Sequence, residues 1–412
     1  MVTRLNQRAT TGIDRVDLAY ARHFAAESPS IVCGTHYGLL APHLLSPGVV
    51  SSLVGLFETV QLEREQSDRP EWQALLARLK NNDAASRPAT TPPFSIPQRA
   101  RLFAIQSAFR IRRDRRSFIP PGAIYLSVAQ HAFEHSRFFR WLNRRPDVFP
   151  VFLVHDLIPL DYPEFFPAGY ESRFRRRVDT ILNHGRAIIT TTSQVAERLR
   201  EEYRRRGRPL VPIHIEPLAS PLGASATPAA ELSSERYFVA VSTIEPRKNY
   251  RLLINVWREL GRRTGAVPKL VIVGHRGWES EQIFRELDLA PDIKPHIIEI
   301  PSLSSSHLRS LIQSARALLM PSFAEGYGLP IVESLSLGTP VVCSDISVFH
   351  EVSQNKAMFL SPLNGKGWLA AIEQLSVVNS SLHRDLLAKS GRFVAPAWDN
   401  YFCKIEEFIA DL

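Results

Sequence analysis

The chain has 412 residues, of which 44% are hydrophobic and 22% charged, and its formal net charge is +9. This length is too great for one compact core, so two or three domains are expected, and the composition excludes a disordered or fibrous chain. Three widely spaced cysteines exclude a disulfide framework and favour a reducing, cytoplasmic compartment. Basic residues cluster in the N-terminal half, at 110–116, 137–145, 173–177 and 198–208.

This basic half indicates an anionic partner, such as lipid head groups or a lipid-diphosphate acceptor. We do not expect nucleic acid, because no helix-turn-helix, zinc-finger or aromatic RNA-binding signature accompanies the charge.

The N-terminus carries no signal-peptide pattern. Residues 28–57 hold no Asp, Glu, Lys or Arg, but prolines interrupt them. We expect a buried strand, a loop and a helix there rather than a membrane span, with a surface that dips into a membrane interface as the alternative.

Strands alternate with helices along the chain, which predicts parallel sheets covered by helices. In the first half, we expect helices at 14–26 and 71–80 and a loop at 86–93. Strands are expected in that half at 2–5, 31–32, 123–128, 151–154, 187–191 and 211–215.

A stretch rich in Ala, Ser and Pro at 217–234 marks the best domain boundary. We therefore predict an N-terminal domain (1–217), a linker (218–234), a C-terminal domain (235–395) and a final helix (396–412). Beyond the linker, strands are expected at 237–241, 270–273, 296–300, 317–321 and 341–343. Helices are expected there at 250–262, 306–315, 368–375 and 382–390.

The most informative stretch is residues 322–333, which follow an apolar run and lead into a short helix that stops at Gly338. Gly326 and Gly328 allow a backbone to come close to a ligand, and Pro330 suits the first turn of a helix. Unpaired N–H groups at that helix start favour a diphosphate in the adjacent crevice.

Two carboxylates, Glu325 and Glu333, flank this crevice, where each can accept hydrogen bonds from a vicinal diol or simply favour the helix start. Their spacing, with Gly-x-Gly-Leu-Pro between them, resembles the signature of the retaining nucleotide-sugar glycosyltransferases of family 4, which have the GT-B fold. The resemblance implies two Rossmann-like, doubly wound α/β domains that face each other across a cleft. It implies that residues 1–217 form the acceptor side, that residues 235–395 bind the nucleotide sugar, and that the final helix at 396–412 returns to the first domain. It implies that Glu325 holds the donor sugar and Glu333 the ribose. It also implies donor contacts from Gly326, Tyr327, Gly328 and Leu329.

Two cations, Arg247 and Lys248, stand at the start of a predicted helix, where positive charge is unfavourable unless an anion binds. A diphosphate would satisfy them, although solvated surface cations are the alternative. The segment resembles the Glu-Pro-x-Lys-Asn element of the same family, whose Lys contacts the diphosphate. Many relatives have an arginine where this chain has Thr243. Either Arg247 supplies the second cation, or diphosphate binding is weaker.

Four further candidates come from the resemblance. His155 follows a buried strand, where a lone histidine is usually structural, but its match lies near the donor sugar and can help to stabilise a developing cation. Gly12 matches a glycine that faces the donor phosphates. Arg276 and Leu303 lie in segments that line the nucleotide pocket in relatives.

His131 and Glu134 are weaker candidates for the acceptor side, with a structural role as the alternative. The chain contains no Asp-x-Asp pair, so we expect no metal. Cations and helix N-termini would then neutralise the leaving group. No Gly-x-Gly-x-x-Gly follows the first predicted strand, which argues against a nicotinamide enzyme, and we expect no cofactor.

The resemblance predicts an enzyme that transfers a hexose from a GDP- or UDP-sugar with retention of configuration. The forms Ile-Glu-Pro-Arg-Lys-Asn and Thr-Gly-Ile-Asp-Arg-Val resemble bacterial enzymes of surface-polysaccharide synthesis, which favours mannose from GDP-mannose. The expected acceptor is a glycan or a lipid-diphosphate-linked glycan, reached by peripheral contact with the inner face of the cell membrane. A GT-B sugar-nucleotide epimerase and a non-catalytic sugar-nucleotide- or lipid-binding subunit are the alternatives.

Overall fold

The computed structural model describes residues 12–27, 32, 34–37, 42–67, 69–80, 119–223, 230–232, 236–263 and 266–412. Three sequence predictions lie outside these residues: the strand at 2–5, the loop at 86–93 and the basic cluster at 110–116. Of the helices in the described ranges, none combines the length and the apolarity that crossing a bilayer requires.

The first 80 residues contribute a hairpin and helices. Strands β1 (Gly34–Tyr37) and β2 (Pro42–Leu45) pair antiparallel, and the helices are α1 (Gly12–Glu27), α2 (Pro47–Ser67) and α3 (Arg69–Lys80). The strand predicted at 31–32 is wrong at Val32, which has no regular structure. The strand begins at Gly34 because its partner strand ends opposite that residue, at Leu45.

In residues 119–223, parallel strands form a four-stranded sheet in the order β3-β4-β5-β6. They are β3 (Ile124–Ser127), β4 (Phe149–Val154), β5 (Ala187–Thr190) and β6 (Ile213–Ile215). The two central strands are almost entirely buried, as their continuous apolar sequences require for strands covered on both faces. The helices of this region are α4 (Ile158–Asp161), α5 (Tyr170–His184) and α6 (Ser193–Arg205), with 3₁₀ helices at Ser136–Arg144 and Pro163–Phe165.

The described residues after 236 form a six-stranded parallel sheet in the order β12-β11-β10-β7-β8-β9. The strands are β7 (Tyr237–Val241), β8 (Lys269–Val273), β9 (Ile297–Ile300), β10 (Leu318–Met320), β11 (Val341–Ser344) and β12 (Met358–Leu360). The helices are α7 (Tyr250–Arg262), α8 (Glu281–Leu289), α9 (Ser305–Ser314), α10 (Leu329–Ser336), α11 (Ser347–Val352), α12 (Gly365–Ser376), α13 (Ser381–Ser390) and α14 (Trp398–Ala410). The strand order reverses between β7 and β10, and ligands bind beyond the carboxyl ends of strands at such a point.

One apolar core joins the two sheets. It contains Leu153 of β4 and Val239 of β7, together with buried side chains of α3. Although α3 lies early in the chain, it packs against the C-terminal half: the Trp72 ring stacks on His307 with their centroids 4.6 Å apart. The predicted domain borders at 217, 234 and 395 stay predictions.

The last helix, α14, packs against α1. The His23 and Phe402 rings stack with their centroids 4.0 Å apart, and Lys404 Nζ lies 2.9 Å from Glu216 Oε1. The hydroxyl groups of Tyr20 and Tyr401 share a hydrogen bond of 2.7 Å. The C-terminal end of the chain is therefore held on elements that precede the linker.

This hydroxyl pair is buried, since Tyr20 and Tyr401 are 3% and 1% exposed. We expect Tyr401→Phe to lower the free energy of unfolding by about 1–3 kcal/mol, because it leaves the Tyr20 hydroxyl without its partner. The double variant Tyr20→Phe/Tyr401→Phe should recover part of that loss, because neither hydroxyl then remains. Urea unfolding of the three proteins measures this, and a double variant less stable than Tyr401→Phe would contradict it.

Residues of the N-terminal half contact residues of the C-terminal half directly, beside the space between the two sheets. Trp278 Nε1 donates to the Phe165 carbonyl oxygen at 2.9 Å, and the Phe165 ring stacks on Phe323 with their centroids 5.7 Å apart. The amide of Ser193, at the start of α6, donates to Glu351 of α11 at 2.8 Å. The loops at the strand ends of both sheets thus face each other.

Candidate active site

The strand-order reversal brings together the two motifs that the sequence singles out. Strands β7 and β10 are neighbours, with Leu318 paired to Val239. A short 3₁₀ helix after β7, Pro246–Lys248, carries Arg247 and Lys248, and the loop after β10 carries Glu325. A small cavity lies at the same strand ends, where Ser242, Lys248, Tyr250, Ser322 and Pro330 help to line it.

Glu325 sits between the two cations. Arg247 Nη1 lies 2.7 Å from Glu325 Oε2, and Lys248 Nζ donates to Glu325 Oε1. On its other side, Arg247 Nε lies 2.6 Å from Glu245 Oε1. The Glu325 and Lys248 side chains are 7% and 10% exposed, so the cluster is largely shielded from water. A diphosphate that reached these cations would have to share them with the carboxylates.

The cluster perturbs its own ionisation. Burial raises the pKa of Glu325, but the Arg247 guanidinium and the Lys248 ammonium outweigh burial, and the pKa falls to about 2. Burial and the Arg247 charge lower the pKa of Lys248, and burial raises the pKa of Glu245. Glu325 is therefore ionised at neutral pH and can act as an acceptor for sugar hydroxyls.

This low pKa gives a stability prediction. Because the Glu325 pKa is about 2 in the fold against an ordinary 4.5, its stabilisation is complete above about pH 4.5 and is lost as the pH falls toward 2. We expect the urea midpoint of the wild type to fall more between pH 5 and pH 3 than that of Glu325→Gln. Parallel curves for the two proteins would contradict this, because other carboxyl groups titrate equally in both.

The start of α10 is shaped by two glycines. Gly328 has a φ of 106°, in the region that favours glycine, and Pro330 lies in the first turn. A Cβ at Gly326 would lie 2.6 Å from Asp156 Cβ and 2.7 Å from the His155 carbonyl oxygen. The backbone of this turn therefore touches the end of β4 in the other sheet.

His155 and Gly12 also reach this region. His155 Nε2 lies 2.9 Å from the Val128 carbonyl oxygen, so this nitrogen carries the hydrogen. A Cβ at Gly12 would lie 2.9 Å from Leu329 Cδ1, so the starts of α1 and α10 are in contact. The structure thus gathers Gly12, His155, Arg247, Lys248 and the 325–329 turn at one place.

Glu333 lies one turn further along α10 and is 2% exposed. Its Oε1 lies 3.0 Å from Nη1 of Arg15, which comes from α1. Burial raises the pKa of Glu333, and Arg15 opposes that rise. The two signature carboxylates are therefore both buried, and each faces a cation.

Other sequence candidates lie elsewhere or are otherwise engaged. Arg276 stands in a segment expected to line the nucleotide pocket, but its guanidinium donates to the Asp288 and Glu299 carboxylates at 2.7–2.9 Å. The Tyr327 hydroxyl donates to the Leu218 carbonyl oxygen at 2.7 Å. The Tyr327 side chain is therefore engaged within the protein, and its backbone is the part that can contact a nucleotide sugar. Leu303 is partly buried against the joint core.

Of the two weaker acceptor-side candidates, one is paired within the protein and the other faces solvent. Glu134 pairs with Arg177, whose Nε lies 3.1 Å from Glu134 Oε2, while His131 is exposed.

Sequence reasoning missed Glu245 and Arg15. Glu245 stands within the quoted Glu-Pro-Arg-Lys element, so its proximity to Arg247 was available as a signal. Nothing local to Arg15 indicates a partner 318 residues away.

Comparisons with known proteins address the same region. Residues 227–383 match the family described as "Glycosyl transferases group 1". The serotype-specific mannosyltransferase WbdA of Escherichia coli is 29% identical over 233 residues, which is 53% of this chain and 28% of WbdA. The O-antigen chain mannosyltransferase RfbU of Salmonella typhimurium is 26% identical over 234 residues, which is 56% of this chain and 62% of RfbU. The chain thus spans less than two thirds of either relative.

Among solved structures, sucrose-phosphate synthase from Thermosynechococcus elongatus superposes with a TM-score of 0.53 at 14% identity. The match covers 79% of this chain and 82% of that one. At this identity the likeness bears on the fold alone. It confirms the predicted GT-B architecture.

Proposed function

We propose that this chain is a retaining glycosyltransferase of family 4 that transfers a hexose from a nucleotide diphosphate sugar in the synthesis of a surface polysaccharide. The observation that carries the proposal is the buried Glu325, placed between Arg247 and Lys248 at the strand-order reversal. The group 1 match covers this region, and the similarity to the mannosyltransferases WbdA and RfbU supports mannose as the sugar, with GDP-mannose as the favoured donor.

Each residue then has a role. Glu325 accepts hydrogen bonds from hydroxyls of the donor sugar, and Glu333 accepts them from the ribose. Arg247, Lys248 and the positive end of the α10 dipole stabilise the charge on the departing diphosphate. His155 stands at the end of β4, where it can face the donor sugar. The acceptor hydroxyl attacks on the face from which the diphosphate leaves, and its proton passes to the leaving phosphate.

The acceptor that we propose is a glycan or a lipid-diphosphate-linked glycan, reached from the cytoplasmic side of the membrane. Exposed arginines of the 3₁₀ helix Ser136–Arg144 and of α5 support an anionic partner for the N-terminal half. An epimerase would return the product sugar still attached to its nucleotide. A binding subunit would retain the donor and release no nucleoside diphosphate.

The test is release of nucleoside diphosphate from a panel of UDP- and GDP-sugars, with a prenyl-diphosphate glycan as acceptor. We expect release that depends on the acceptor and a product with the donor's anomeric configuration. Because cations and helix N-termini would carry the leaving-group charge, EDTA should leave the rate unchanged. No release with any donor would overturn the proposed function, and complete loss of activity with EDTA would overturn its metal-independent form.

A further inference from the structure

Arg15 links the two halves of the molecule at the carboxylate proposed to bind the ribose. It lies in the first turn of α1, and its Nη1 donates to Glu333 Oε1 of α10 at 3.0 Å. The Arg15 and Glu333 side chains are 16% and 3% exposed, so water competes little for this pair. The roles proposed so far use Glu333 but give none to Arg15.

The contact is held by the backbone around it. Because Gly12 lacks a side chain, the start of α1 approaches Leu329, the first residue of α10. Arg15 then follows within one turn of Gly12, and Glu333 within about one turn of Leu329. The two side chains therefore meet beside the crevice that the proposed diphosphate enters.

The ion pair does not use every N–H group of the Arg15 guanidinium. The Nε of Arg15 is buried and has no hydrogen-bond partner among the described residues. A buried N–H of a charged group without an acceptor costs free energy, so such a group is most often satisfied by a ligand or by water. A nucleotide donor supplies ribose and phosphate oxygens at this place.

Resting on the proposed function, we infer that Arg15 is a positioning residue for the nucleotide. It holds the Glu333 carboxylate toward the ribose diol and offers its Nε–H to an oxygen of the donor. This assigns to the N-terminal half a direct part in recognising the ribose. Nucleotides that lack one hydroxyl of the diol should then lose affinity only when Arg15 and Glu333 are both in place.

Calorimetric titration tests this with whichever of GDP and UDP binds more tightly, together with its 2′-deoxy form. We expect the wild type to prefer the ribonucleotide by about 10-fold or more, the ratio that a hydrogen bond to a charged group supports. Arg15→Met should reduce that preference to below about 3-fold, and Arg15→Lys should restore part of it. The control is Arg22→Met on the same helix, whose exposed pair with Glu58 should leave the preference unchanged.

Two outcomes would overturn the inference. One is an unchanged preference in Arg15→Met, whether the two affinities stay the same or fall equally, because an equal fall indicates a merely structural role. If Arg15→Met does not fold, Arg15→Lys decides the matter, and an undiminished wild-type preference in that variant would be the second. If the wild type binds no nucleoside diphosphate at all, the proposed function itself fails.

Discussion

Glu325→Gln is expected to lower the rate of nucleoside diphosphate release by roughly 10²–10³-fold, with a smaller change in KM for the donor. The substitution keeps the size of the side chain but removes the charge that accepts hydrogen bonds from the donor sugar. In the proposed mechanism these bonds strengthen as positive charge develops on the sugar, so the loss falls mainly on kcat. Steady-state kinetics with the preferred donor and acceptor measures the effect.

Stability must be measured on the same variant, because Glu325 also compensates two largely buried cations. Removing one partner of such a cluster costs about 3–5 kcal/mol, so Glu325→Gln should unfold at lower urea. Glu325→Asp keeps the negative charge but shortens the side chain by one methylene, which moves the carboxylate away from Arg247 and Lys248. This variant replaces Glu325→Gln in the kinetic test if Glu325→Gln does not fold. The matched control is Glu373→Gln, whose pair with Arg263 is exposed, and it should change neither property. Wild-type kcat in folded Glu325→Gln would contradict the assigned role.

Gly326→Val is expected to reduce activity by about 100-fold while the protein remains folded. The added Cβ would lie 2.6 Å from Asp156 Cβ and 2.7 Å from the His155 carbonyl oxygen. These atoms belong to or adjoin the main chain, so they cannot rotate away, and the two halves must separate. A displacement of about 1 Å between reacting groups is enough for a loss of this size.

The control for that variant is Gly365→Val at the start of α12, where an added Cβ meets nothing within 4 Å. It should leave the rate and the urea midpoint close to those of the wild type. The relevant measurements are kcat, the affinity for the donor and the urea midpoint of each variant. Full activity in Gly326→Val would show that the contact between the halves is not needed for turnover.

Much of the local structure was predictable from the sequence, although the helices α5, α6, α8 and α11 and the strand β12 were not among the predicted elements. From residue 123 onward, the predicted strands and helices lie within three residues of the observed ones at each end. The apolar runs of buried parallel strands and the turn at 326–330 carry strong local signals, since glycine permits the positive φ of that turn and proline restricts φ in the first turn of the helix. The family resemblance assigned Arg247, Lys248 and Glu325 to one donor site, and the fold brings them together because neighbouring parallel strands end at one edge of the sheet.

Long-range contacts were not predictable in this way. The burial of Glu325 between its cations depends on how two loops meet, and the partner of Glu333 comes from 318 residues away. Arg276 likewise lies in a segment that the resemblance assigned to the nucleotide pocket, but its guanidinium pairs with Asp288 and Glu299. The packing of α3 against the C-terminal half was not predicted, because an amphipathic helix does not reveal which sheet it covers.

A crystal structure of the chain with the nucleoside diphosphate that it releases is the most direct measurement of this account. We predict the two phosphates between the start of α1 and the start of α10, with Glu333 at the ribose hydroxyls and Arg247 and Lys248 within reach of phosphate oxygens. A nucleotide bound elsewhere, or a crevice that stays filled by the protein's own side chains at saturating nucleotide, would contradict it.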